Sequence, residues 1–156
     1  RDTAQQKKSK ERFMRVFLLA VMALFASQIA VAGHHEESLK LAKRQATSTM
    51  TVTSVQFSDD LTTINATGDM GAYGKVYTTY HLAYDEGRTT GSVTGGGRGV
   101  SGDTVIAGTF AGKWERNGST LIMRNVVQGS NDTQNLDIIT FDPNTDEMTV
   151  EVYVLK

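Results

Sequence analysis

Three groups of residues in this 156-residue chain have types and spacings that could do chemistry. The first is Gly33-His34-His35, directly after Ala30-Val31-Ala32. A chain cut after Ala32 would begin at Gly33, with His35 as its third residue. A free amine, two backbone amides and a third-position imidazole close a square-planar nitrogen set around Cu(II) or Ni(II). Gly33, His34 and His35 are therefore candidate metal ligands, and a solvated polar start is the plain alternative. The second group is Gly97-Arg98-Gly99-Val100-Ser101-Gly102, a G-x-G-x-x-G of the kind that cradles a pyrophosphate. Such a cradle must leave a strand and open a helix, whose N-terminus holds the phosphate. Here Asp103 to Phe110 reads as another strand, and no Lys-Ser/Thr follows for a P-loop. The glycines mark a sharply bent strand and its hairpin instead.

The third group lies on strand-like segments: Tyr80, Ile106, Phe110, Trp114 and Arg124 are candidate ligand-binding residues. Arg124 interrupts the apolar run Leu121 to Val127. Facing a lumen it would need a partner, such as Glu115 across Asn117-Gly118, and it could anchor a carboxylate. Facing solvent it would be an ordinary surface arginine, and Arg98 carries the same two readings. His81 falls on the face opposite Tyr80 and Leu82, where a lone histidine is ordinarily a surface residue. No Ser-His-Asp set can be assembled by spacing. Asp132, Asp137, Asp142 and Asp146 mostly read as turn formers, and they do not alternate as a calcium loop requires. The absence of cysteine removes disulfides, thiol catalysis and thiolate metal sites. No cofactor is expected.

The length suits one domain. The net charge of −1 mixes two unlike parts: residues 1–32 hold six Lys/Arg and two acids, and the chain from Gly33 onward holds ten bases and fifteen acids. An acidic body of this kind argues against nucleic-acid binding, which needs a basic face. Met14 to Ala32 orders a positive n-region at Arg15, an apolar run from Val16 to Phe25 and the small-residue site Ala30-Val31-Ala32. That order is the signature of a secretory signal peptide. Met14 then reads as the start, with residues 1–13 either upstream of it or a long basic n-region. The expected product is secreted or periplasmic, cut near Ala32-Gly33, with no stable membrane span afterwards. Residues 33–47 read as a polar tether with one or two helical turns.

From residue 48 the hydrophobic period becomes two. Thr51 to Phe57, Thr62 to Thr67, Lys75 to Tyr84, Thr89 to Val100, Thr104 to Arg116, Leu121 to Val127, Leu136 to Phe141 and Met148 to Leu155 read as strands separated by turn residues. Asn117-Gly118 is the strongest hairpin signal among them. Fourteen of the fifteen glycines lie between Gly68 and Gly129, several inside strands. Strand glycines mark bulges and tight bends, the devices by which a sheet curls shut. The expected fold is all-β: a small up-and-down antiparallel barrel of about eight strands over residues 48–156, calycin-like, preceded by an N-terminal signal-peptide helix. Ile106, Phe110 and Trp114 share one side of their strand with Gly108 and Gly112, and that side is expected to line the lumen, with Trp114 closing one mouth.

The stretch ATGDMGAYGKVYTTYHLAYDEG (Ala66–Gly87), followed by GTFAGKW (Gly108–Trp114), resembles the secreted members of the allene oxide cyclase-like barrel families. In those a TG…G…Y…L strand precedes a G-x-F-x-G-x-W strand within an eight-stranded barrel. The resemblance covers Ala66 to Gly118 and implies a calycin-type barrel around a small apolar cavity. The plant cyclases isomerise a fatty-acid epoxide, but their catalytic residues do not map onto this chain. The expected partner is a small apolar or amphipathic molecule held in the lumen, because barrel mouths are favoured ligand sites. An isomerase or cyclase using the same cavity is the alternative, and convergent Arg, Glu or Tyr side chains in the lumen would favour it. An extracellular assembly protein is the third reading, and a homo-oligomer stays open.

Overall fold

The computed structural model describes residues 39–156. The expected signal helix, its cleavage point and the Gly33-His34-His35 metal set lie outside the described residues. Eight strands follow in chain order: β1 (Ser48–Phe57), β2 (Leu61–Asp69), β3 (Lys75–Ala83), β4 (Thr90–Ser101), β5 (Thr104–Asn117), β6 (Thr120–Gly129), β7 (Gln134–Asp142) and β8 (Glu147–Val154). Each strand pairs antiparallel with the next, and β8 returns to pair with β1, closing an up-and-down barrel.

The period of two decides which side chains enter it. β3 turns Thr78, Tyr80 and Leu82 inward and Lys75, Tyr77 and His81 outward. β8 does the same with Met148, Val150 and Val152 against Glu147 and Thr149. Met50, Ile64, Leu82, Met123, Ile139, Met148, Val150 and Val152 are each 1% exposed or less. Burying each such side chain contributes about 1.5–3 kcal/mol, so together they hold the barrel shut.

β4 is the exception, because its inward positions are Gly91, Val93, Gly95, Gly97 and Gly99. The register sets Gly91 opposite Trp114 and Gly95 opposite Phe110. A Cβ at Gly91 would fall 1.9 Å from the Ala83 carbonyl oxygen and 2.8 Å from Trp114 Nε1; one at Gly95 would fall 2.0 Å from the Thr79 carbonyl oxygen and 2.6 Å from Phe110 Cζ. The bare backbone of β4 thus accommodates both the sharp coiling of the sheet and the aromatic rings of β5. The last glycine of the G-x-G-x-x-G, Gly102, is a turn residue with φ 56° between the paired Ser101 and Thr104. The hairpin signal at Asn117-Gly118 is displaced by one residue: Asn117 pairs with Thr120, and Gly118, φ 62°, opens the two-residue turn with Ser119.

The helical turns expected in the tether are absent among residues 39–47. β8 explains why. Only Glu147 to Val150 of β8 pair with β1, which leaves the rest of its edge open. Lys43 bridges to Tyr153, the Arg44 amide donates to the Val152 carbonyl (2.8 Å), and the Val154 amide donates to the Ala42 carbonyl (2.9 Å). Residues 42–44 therefore run extended along β8, because an open strand edge is a stronger local demand than one turn of helix.

Candidate functional site

Where Gly97 of β4 faces Gly108 of β5, two adjacent inward positions carry no side chain. The space they leave belongs to a lumenal cavity of about 100 Å³. Tyr80, Ile106 and Phe110 are among the residues that line it. The Phe110 and Tyr80 rings pack at 5.0 Å between centroids, tilted by 39°. Met70 and Tyr73, from the short β2–β3 connection, cover the cavity at one end.

Two of the expected site residues lie elsewhere. Trp114 points inward and is 3% exposed, but it sits toward the opposite mouth, edge-on to Tyr84 with its Nε1 donating to the Ala83 carbonyl (2.8 Å). It lines a separate pocket at that end with Leu82, Tyr84 and Phe141, and does not line the cavity. Arg124 takes the outward position, and its Nη1 donates to Glu115 Oε1 at 2.7 Å on the exposed surface of β5 and β6. The expected pairing across the hairpin forms, but outside the barrel, so Arg124 offers no anchor to a lumenal ligand. Such an exposed pair contributes about 0–1 kcal/mol. Arg98 is exposed at the cavity rim, with Nη1 on the Gly97 carbonyl (2.9 Å). His81 is exposed beside Thr63 on the outer face.

The cavity also holds residues that the sequence reading missed. Asn125 of β6 and Asp137 of β7 are directly opposite each other, and both line the cavity. Asp137 is therefore mid-strand and inward, not at a turn. A signal was available: Leu121, Met123, Asn125 and Val127 share one side of β6, and Asn135, Asp137, Ile139 and Phe141 share one side of β7. Polar residues in phase with a core stripe are the informative kind.

The two lumenal asparagines differ. Asn135 uses both ends of its amide, donating to the Tyr73 hydroxyl (3.1 Å) and accepting from Arg44 Nε (2.5 Å). Arg44 also donates to the Gln134 and Lys156 carbonyls, which ties the tether to the end of the barrel. Asn125 is 0% exposed, and neither its Nδ2 nor its Oδ1 has a protein partner; Asp137 Oδ1 is likewise buried and unpaired. Leaving such groups unsatisfied costs about 1–3 kcal/mol each. Burial pushes the Asp137 carboxyl up to about 7, with Arg44 acting in the opposite direction. Burial also raises the Tyr80 phenol, and the nearby Asp137 charge adds to that effect. No protein-family model, curated protein or solved structure matches this chain.

Proposed function

We propose that this barrel is an exported protein that binds a small amphipathic molecule in its lumen. The apolar body lies against Ile106 and Phe110, and the polar end reaches Asn125 and Asp137. The observation that carries this reading is the facing pair Gly97 and Gly108, which leaves a lumenal cavity beside the buried side chains of Met50, Ile139, Val150 and Val152. Natural interiors are packed with few voids larger than a water molecule, so a cavity with an apolar wall and a few convergent polar groups is the default binding site. The signal-like order of Met14 to Ala32 supports export.

Gly108→Leu tests it. A Cβ at Gly108 would meet only Val127 Cγ1 at 3.5 Å and the Gln128 carbonyl at 3.8 Å, so the backbone tolerates a side chain there. The variant should fold, fill the cavity and lose toluene binding by at least about tenfold, or about 1.4 kcal/mol, in titration calorimetry. Unchanged toluene affinity in a folded Gly108→Leu protein would place the ligand somewhere else.

One observation favours a second reading, an isomerase. A carboxyl poised near 7 beside a phenol and an amide has the makings of a general base with carbonyl-binding donors. Asp137 would take a proton from the carbon next to a carbonyl and return it two carbons along, at the γ position, as the double bond moves into conjugation. Conversion of 3-cyclohexenone to its conjugated isomer should then rise with pH through about 7 and vanish in Asp137→Asn. A rate equal to that of buffer counts against catalysis and leaves the binding reading in place.

A further inference from the structure

Three buried polar atoms without a protein partner belong to the facing pair Asn125 and Asp137, both of which line the cavity: Asn125 Oδ1 and Asp137 Oδ1, both acceptors, and Asn125 Nδ2, a donor. Turning the Asn125 amide over exchanges its ends and leaves this inventory unchanged. The complement is one planar group with two N–H donors and one acceptor. A primary carboxamide is such a group: one N–H to Asn125 Oδ1, the other to Asp137 Oδ1, and its carbonyl accepting from Asn125 Nδ2. An ammonium has donors only and leaves Asn125 Nδ2 unpaired. A carboxylate has acceptors only and would face the Asp137 charge. A hydroxyl supplies a single donor and leaves one acceptor unpaired.

We propose that the lumen recognises a primary carboxamide on a small apolar body, through Asn125 and Asp137. This rests on the lumenal-binding reading above. The contrast within the cavity supports it. Asn135, of the same residue type, also buried and on the same cavity, is satisfied at both ends by Tyr73 and Arg44, whereas both ends of Asn125 are left without a protein partner. Asp137 faces Asn125 on β6 and Val152 on β8, with Tyr80 of β3 and Arg98 of β4 on the same cavity and Arg44 beyond Asn135. Arg44 is held by Asn135, Gln134 and Lys156, and Arg98 by the Gly97 carbonyl. An N–H donor from the ligand favours the ionised carboxyl, so carboxamide binding should tighten as pH rises through about 7.

The test is a calorimetric panel on the full chain at pH 8 with five probes of similar size: toluene, benzyl alcohol, benzylamine, benzoic acid and benzamide. Benzamide should bind at least tenfold tighter than each of the others. Asn125→Leu, close to isosteric, should retain toluene and bring benzamide down to it. If toluene binds and benzamide shows no preference, or if the preference survives in Asn125→Leu, the carboxamide assignment is overturned and lumenal binding stands. If neither toluene nor benzamide binds the wild-type chain, lumenal binding fails and the assignment falls with it. The wild-type panel decides the matter even if Asn125→Leu does not fold.

Discussion

Asp137 is the residue on which the lumen's electrostatics turn. Its folded value of about 7 lies above the ordinary 3.8. Between those two values the folded chain holds a proton that the unfolded chain has released. Stability therefore falls as pH rises through that window, and the loss is complete above about pH 7. Linkage bounds the effect at about 4 kcal/mol, less in proportion to the solvent that reaches the carboxyl. Asp85, held low by the Thr90 hydroxyl, and Glu151, held low by Lys43, act in the opposite sense and only toward acid pH. The melting temperature should drop between pH 5 and pH 8, and Asp137→Asn should remove most of that slope. An equal slope in the variant would mean that the carboxyl is solvated. In the sequence Asp137 passes for a turn former, although its phase with Asn135, Ile139 and Phe141 on β7 marks it as inward. Arg124 is open in the sequence between a lumenal and a solvent-facing reading, and the strand period sends it outward to Glu115.

At the scale of elements, β4 shows the clearest link from composition to geometry. Its inward glycines are demanded by contact, and Gly102 and Gly118 by turn conformation. The two demands differ in size. Gly91→Ala forces a Cβ into the Ala83 carbonyl and the Trp114 ring, and should cost at least about 2 kcal/mol. Gly118→Ala meets open space and carries only the left-handed backbone penalty, about 1 kcal/mol. Urea denaturation of the two variants checks the order, and equal losses would contradict it. Strand positions and the inward face of β5 were legible because the period of two is strong there. The path of residues 42–44 was not, because what fixes it is the open edge of β8, far along the chain.

For the whole molecule, closure and cavity have a common origin. Eight antiparallel strands remove every sheet edge, with β1 and residues 42–44 sharing the edge of β8. The glycines that let the sheet coil also leave the lumen short of side-chain volume at Gly97 and Gly108, between Tyr73 at one end and Trp114 toward the other. The barrel was readable from turn spacing and glycine content. The polar floor of the cavity was not, because it depends on which residues of β6 and β7 come face to face. A lumen built in this way should be occupied where the protein is made. A native mass spectrum of protein purified undenatured from its own host should show a stoichiometric small-molecule adduct, released on denaturation as a compound with an apolar body and a polar head. Protein whose native and denatured masses are the same would contradict a ligand-binding lumen.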